Sequence, residues 1–128
     1  MAVAALLAPA GCSIGGDSEP QPVSGAPKQI AATVDQLGRA IGKNDYTEVC
    51  DRLFTASARK RAGGDACAKE LASAAGDVRH PAVHIRGIEV NGDRAAVKVA
   101  TTAEGQARLI DTLQLRREGK RWLIEALS

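Results

Sequence analysis

Residues 83–101 read VHIRGIEVNGDRAAVKVAT, and this stretch decides the fold. On both sides of Asn91-Gly92-Asp93, apolar and polar residues alternate with a period of two, as in half-buried β-strands. Gly between such runs favours a tight hairpin turn, because Gly adopts positive φ without steric cost. The alternation changes phase at Gly87, which predicts a β-bulge. The stretch therefore predicts an antiparallel hairpin with a bulged first strand.

Two further strands follow the hairpin. The third has one face formed by alternating residues: Leu109, Asp111, Leu113 and Leu115. A turn at Glu118-Gly119-Lys120 leads into a last strand that contains Trp122 and Ile124. Strands that follow one another through short turns favour an antiparallel meander.

The residues before this meander have helical periodicity. A helix is predicted from Lys28 to about Gly42, since apolar residues recur there at spacings of four, three and four: Ile30, Val34, Leu37 and Ile41. Asp45, with Glu48 three residues later, predicts the N-cap of a second helix that continues to Arg61. Helices followed by an antiparallel sheet make an α+β domain.

A third helix is predicted after Asp65, as its N-cap, and before Gly76. Its inner stripe would be formed by three residues: Cys67, Leu71 and Ala74. Cys50 lies among the buried positions of the second helix, so a bond between Cys50 and Cys67 would join two successive helices.

The N-terminal segment predicts that the protein is exported from the cytoplasm. Residues 2–10 are apolar or small, too few for a membrane span of about 20 residues but of signal-peptide length. Ala10-Gly11-Cys12 resembles the lipobox of bacterial lipoproteins, although Pro9 stands where that family usually has Leu. The resemblance implies a leader at 1–11 and a diacylglycerol thioether on Cys12, which would anchor the exported protein on the outer face of the cytoplasmic membrane. The charged segment that usually opens such a leader is missing, which predicts a natural start upstream of Met1.

Residues 12–27 then form a tether between the lipidated Cys12 and the domain at 28–128. Gly, Ser and Pro dominate it, and such a segment buries too little apolar area to offset its ordering entropy. With Cys12 lipidated, an even pair of cysteines is left, and in an exported protein this predicts a Cys50–Cys67 disulfide.

A zinc site is the competing interpretation of the cysteines, because Cys67, His80 and His84 have the spacing of half a zinc finger. Cys50 lies too far from Cys67 to complete that motif. Pro81 also keeps the two histidines off a shared helical face. We therefore predict neither a metal nor another cofactor, and we expect the histidines to be solvated.

The order of elements is similar to that of the nuclear-transport-factor-two-like superfamily, a cone of curved sheet wrapped over helices. In particular, the chain resembles small actinobacterial lipoproteins with such a domain. The resemblance is carried by Asp45-Tyr46, Cys50, Cys67, the hairpin at 90–97 (VNGDRAAV) and the ending at 118–124 (EGKRWLI). The fold hosts enzymes, binding modules and dimerisation units, so the resemblance implies little about chemistry.

Asp111 is the one candidate for chemistry. Its strand parity places it on the face towards the helices, where an acid is costly unless paired. Enzymes that resemble this fold, such as steroid isomerases and epoxide hydrolases, use acids in the cone. The alternative is a position near the open mouth or on a bulge, paired with an Arg. No His or second carboxylate shares its strand parity.

Charge and composition narrow the partners. Seventeen Lys and Arg against thirteen Asp and Glu give Lys28–Ser128 a formal charge of +4, too small for a dedicated nucleic-acid binder. Cations around the last hairpin have no aromatic platform beside them, which also argues against nucleic acid: Arg116, Arg117, Lys120 and Arg121.

We therefore expect a non-enzymatic module on a lipid bilayer that binds a small apolar ligand or another envelope protein. The residues expected to line its pocket are Val97, Val99, Asp111, Leu113, Trp122 and Ile124. The alternative is a small hydrolase or isomerase that uses Asp111.

Overall fold

The structure, a computed structural model, describes residues 25–128. The predicted leader, Cys12 and the tether as far as residue 24 lie outside these residues. Four helices precede four strands, and the α+β architecture is confirmed. The helices are α1 Gly25–Gly42, α2 Tyr46–Glu48, α3 Ala56–Arg61 and α4 Cys67–Ala75. The strands are β1 Ala82–Asn91, β2 Arg94–Thr102, β3 Leu109–Glu118 and β4 Arg121–Leu127. Among the described helices, none has the length and apolar character needed to cross a membrane.

Helix α1 supplies the largest helical contribution to the core. It begins at Gly25, three residues before the predicted start, with Pro27 in its first turn, where the missing N–H costs nothing. The predicted stripe is confirmed, because its first three members are buried: Ile30, Val34 and Leu37.

The second predicted helix is interrupted, so the prediction of one helix as far as Arg61 is wrong. Asp45 Oδ1 does accept the N–H of Glu48 at 3.2 Å, which confirms the N-cap. After α2 the chain makes one π-helical turn, Val49–Leu53, and then becomes extended at Phe54. Phe54 pairs with Ile124 of β4, and this bridge draws the backbone out of the helix.

Thr55 restarts the helix. Its backbone N–H donates to the carbonyl of Ile124 at 2.9 Å, and its Oγ1 accepts the N–H of Ala58 at 3.0 Å as the N-cap of α3. This buried threonine therefore holds the first turn of α3 against β4.

The predicted disulfide is present. Cys50 in the π-helical turn is bonded to Cys67 at the start of α4, with the two Cα atoms 6.1 Å apart. Asp65 does not cap α4, contrary to prediction, because it lies inside a 3₁₀ turn, Gly64–Ala66, that supplies the helix start instead. Ala74 is exposed, so the predicted inner stripe of α4 narrows to Cys67, which is buried, and half-buried Leu71.

The sheet is a meander in the order β1-β2-β3-β4, antiparallel throughout, as predicted. The hairpin pairs Asn91 with Arg94, and Gly92 adopts φ of +66° in the turn. Ile85 lies opposite Val99 whereas Gly87 lies opposite Lys98, which confirms the predicted bulge.

A second bulge, in β4, was not predicted. Leu115 pairs with Ile124, whereas Gln114 pairs with Ala126, so Glu125 is the extra residue. A bulge re-aims side chains. Glu125 consequently reaches the helix side of the sheet, where its carboxylate accepts the hydroxyl of Thr55.

Candidate functional site

A cavity of about 600 Å³ lies between the sheet and the helices. Most of its wall is aliphatic and comes from α1, the short helices and the inner face of β2–β4. The lining residues used below are Ala75, Val99, Leu109, Asp111, Leu113, Ile124, Glu125 and Leu127. Concave, mostly apolar sites of 300–1,000 Å³ are typical of small-molecule binding.

The inner face of β3 shows which end of this cavity is open. Leu109 is 60% exposed, Leu113 is 5% exposed and Leu115 is 2% exposed. Leu127, at the end of β4, is also largely exposed and lines the same cavity. We call the end marked by Leu109 and Leu127 the mouth.

Asp111 lies between the mouth and the buried residues of β3. It is half-buried, it lies opposite Val99 on β2, and its side chain faces the cavity. No side chain of residues 25–128 forms a hydrogen bond or an ion pair with its carboxylate. The Arg partner considered for it is therefore not seen in this part of the chain.

Glu125 is the second carboxylate on the cavity wall, and it is well satisfied. It accepts the hydroxyl of Thr55, and Oε1 lies 4.0 Å from a terminal nitrogen of Arg61. Arg61 also donates to the backbone carbonyl of Glu125 and, at 2.8 Å, to Ser57 Oγ. The cluster links α3 to the bulge of β4 at the wall of the cavity.

The structure brings four of the six predicted lining residues to the cavity: Val99, Asp111, Leu113 and Ile124. Val97 is fully buried in the packed core instead. Trp122 is also buried, and it backs a separate, smaller recess beside α1, where the hydroxyl of Thr33 donates to its carbonyl at 2.8 Å. The indole N–H of Trp122 has no hydrogen-bond partner within residues 25–128.

Sequence reasoning missed Glu125 and Arg61. Strict alternation along β4 places Glu125 on the outer face, and only the bulge brings it to the cavity. The sequence does contain a signal for that bulge. Strict alternation after Trp122 and Ile124 would put the next large apolar residue at position 126, but position 126 is Ala and the large apolar residue is Leu127. The position of Arg61 depends on the break at Phe54, which carries no comparable signal.

The other polar candidates lie away from the cavity. His80 Nδ1 is 2.6 Å from Glu104 Oε2, and both side chains are exposed. Cys67 is bonded to Cys50 and so cannot act as the thiolate ligand of a zinc site. Within the described part of the chain, no three His, Cys, Asp or Glu residues are grouped as a metal site requires. Arg121, in the last hairpin, donates to the carbonyl of Arg52 at 2.7 Å.

No protein-family model and no curated protein matches this chain. Solved structures do match. A NTF-2 like protein of unknown function from Silicibacter pomeroyi DSS-3 is 22% identical with a TM-score of 0.59, over 78% of this chain and 90% of that chain. An NTF2-like protein from Campylobacter jejuni is 15% identical with a TM-score of 0.57, over 80% of this chain and 99% of that chain.

Identities this low are evidence of fold and not of activity. Both neighbours are matched over nearly their whole length, and both are NTF2-like. Their likeness agrees with the helices packed against a curved four-stranded meander. The domain of this chain therefore has the nuclear-transport-factor-two-like fold.

Proposed function

We propose that this chain is an exported lipoprotein, anchored to the outer face of the cytoplasmic membrane through Cys12, whose domain binds a small and largely apolar ligand. The observation that supports binding is the aliphatic cavity of about 600 Å³, which opens at the mouth. Filling such a cavity with an apolar molecule removes apolar surface from water on both partners, which favours association.

Binding without catalysis is favoured because one of the two carboxylates on the cavity wall already has hydrogen-bond and ion-pair partners. Hydrolases and isomerases commonly combine a general base with a second group that orients it or stabilises the charge that develops on the substrate. Glu125 is engaged by Thr55 and Arg61, so among residues 25–128 no second carboxylate or histidine on the cavity wall is free to act with Asp111. The alternative, a small hydrolase or isomerase, is supported by the position of Asp111 on the cavity wall.

Docking of another envelope protein is the other form that the binding module can take. It is supported by the exposed aliphatic residues Leu109 and Leu127 at the mouth. A pair of exposed leucines is small beside a stable protein interface of about 800 Å² per partner. We therefore put the small ligand first.

Ligand binding is tested with the neutral apolar fluorophore N-phenyl-1-naphthylamine. Ala75→Trp adds bulk at the end of α4, where Ala75 is half-buried and lines the cavity. We expect this variant to bind the fluorophore about tenfold more weakly, a loss of about 1.4 kcal/mol. Ala72→Trp is the matched control, because Ala72 lies on the same helix, is exposed and does not line the cavity.

Equal binding by both variants, or no binding by the unsubstituted domain, contradicts a ligand-filled cavity. Catalysis is tested by releasing the molecule that co-purifies with the protein and recording its mass and its chromatographic retention before and after incubation with fresh protein. A change in mass indicates hydrolysis, and a change in retention at constant mass indicates isomerisation. Either change with the natural protein and not with Asp111→Asn supports the enzyme, whereas no change in mass or retention supports the binding module.

Lipidation and membrane localisation are tested by intact mass spectrometry of the protein extracted from membranes of an expressing bacterium. We expect a diacylglyceryl group on Cys12 and the loss of two hydrogens from Cys50 and Cys67. Cys12→Ser should move the protein from the membrane fraction to the soluble fraction with the disulfide intact. An unmodified Cys12 in soluble protein contradicts the lipoprotein.

A further inference from the structure

We infer that the cavity selects an amphiphile: an apolar body that carries one hydrogen-bond-donating group, preferably a cationic amine, which Asp111 binds near the mouth. The inference rests on the proposed function and names the chemical class of its ligand. The observation that carries it is a half-buried carboxylate on the cavity wall without a partner among the described residues.

The other charged groups on the wall are already compensated. Arg61 is held by the carboxylate and the carbonyl of Glu125 and by Ser57. Glu125 is held by Arg61 and by the hydroxyl of Thr55. A ligand gains little from either group unless it first breaks this cluster.

The uncharged polar groups on the wall discriminate less than Asp111 between ligands that donate and ligands that accept a hydrogen bond. The hydroxyl of Tyr46 lies 3.4 Å from Asn44 Oδ1, to which it can donate. Thr101 presents a hydroxyl, which both donates and accepts. Asp111 differs from these hydroxyl groups because a carboxylate accepts hydrogen bonds and offers no donor. It differs from Glu125, the other carboxylate on the wall, because Glu125 is already bound by Thr55 and Arg61.

A ligand that fills the cavity removes water from Asp111. A carboxylate that loses water without gaining a hydrogen bond is costly, so a purely hydrocarbon ligand forfeits part of what its burial gains. A ligand with a donor near Asp111 avoids that cost. A charged donor does so best, since hydrogen bonds between two charged groups are the stronger kind.

The formal charge of the residues that line the cavity also favours a cationic ligand. One guanidinium, Arg61, faces two carboxylates, Asp111 and Glu125, which leaves a formal charge of −1 among the lining residues. An anionic amphiphile would place its head group beside the uncompensated carboxylate, and like charges repel at short range. An amine is therefore favoured over an acid of the same length.

The exposure gradient along β3 sets the orientation of the ligand. Leu113, on the buried side of Asp111, is covered, and Leu109, on the other side, is largely exposed. The apolar body lies against Leu113, Val99 and Ile124, and the donor group lies at Asp111 towards the mouth.

The test compares three probes with the same apolar chain: decylamine, decanol and decanoic acid. Each displaces N-phenyl-1-naphthylamine at neutral pH, the two ionic probes below their critical micelle concentrations and decanol below its solubility limit. We expect decylamine to bind about tenfold more tightly than decanoic acid. In Asp111→Asn, a nearly isosteric change, we expect decylamine to lose about tenfold and decanol less than threefold, because the neutral amide cannot pair with an ammonium.

Glu89→Gln is the matched control, since it removes one exposed carboxylate from the outer face of β1 and should leave all three affinities unchanged. Equal affinity for decylamine and decanoic acid overturns this inference, and so does a preference for decylamine that persists in Asp111→Asn. In either case, the proposed function stands as long as the fluorophore binds. Absence of binding by the fluorophore and by all three probes overturns the proposed function itself.

Discussion

The two ends of the same sheet face are built differently. At the end near the β1–β2 hairpin, which we call the closed end, Ala95, Val97 and Leu115 are buried against α1. At the mouth, the same strands carry Leu109, which is exposed, and Asp111, which faces a cavity. The sheet itself differs between the ends, since the mouth side has the bulge at Glu125 and carries Asp111 among the apolar residues of its inner face. What covers the sheet differs as well.

The helices that cover the two ends differ in length and attachment. Helix α1 has 18 residues, and its Thr33 hydroxyl bonds the carbonyl of Trp122, which places the first half of α1 over the closed end. At the mouth the cavity is bounded by Leu37 and Ile41 of α1 and by short helices, of which α4 buries only Cys67. A short helix buries fewer side chains above a sheet than a long amphipathic one, and part of the space at the mouth stays empty.

The largest expected effect compares one leucine from each end. Leu115→Ala removes a fully buried side chain from the closed end and should lower the free energy of unfolding by about 2–5 kcal/mol. Leu109→Ala, on the same face of the same strand, should change it by less than about 0.5 kcal/mol. Urea denaturation of the two variants measures the difference, and similar losses would contradict the distinction between the ends.

The disulfide tests how the helices over the mouth are held. The double variant Cys50→Ala with Cys67→Ala opens a loop with a sequence separation of 17, which should cost about 3 kcal/mol of unfolding free energy. Because α4 buries only Cys67, we expect its amides to lose hydrogen-exchange protection before those of α1. Uniform loss of protection in both helices would show that the two ends unfold as one unit.

Thr55 gives a smaller effect at the junction of α3 and β4. Thr55→Ala removes the N-cap of α3 and the hydroxyl that Glu125 accepts, and it should cost about 1–2 kcal/mol. Thr55→Ser keeps the hydroxyl and should recover most of that loss in the same denaturation measurement. Equal losses in the two variants would assign the effect to the missing methyl group.

Much of the fold was predictable because its signals are local. The bulge at Gly87, the turn at Asn91-Gly92 and the stripe on α1 follow from side-chain periodicity and backbone preference over a few residues. The Cys50–Cys67 pair followed from counting cysteines. Strand parity correctly placed Val99, Asp111, Leu113 and Ile124 on the inner face, and all four line the cavity. Parity did not separate them from Val97 and Trp122, which lie on the same face and do not line it.

Most of the rest depended on contacts between residues distant in sequence. Phe54 leaves the helix because it meets Ile124. Asp65 is a local exception, since it does not cap α4 because the chain around it takes a 3₁₀ turn. Propensity favours helix at 46–61, and a single tertiary bridge overrides it, since propensities amount to less than about 1 kcal/mol per residue.

By itself the sequence determined the order of helices and strands, the inner face of most strand residues and the pair of cysteines that forms the disulfide. The tertiary structure decided which end of the sheet is filled and which is hollow, and so placed Val97 in the core and Asp111 on a cavity wall. It also brought Glu125, Arg61 and Thr55 together. The physical reason is that periodicity reports only the direction of a side chain, whereas an empty volume depends on how far apart the packed elements lie.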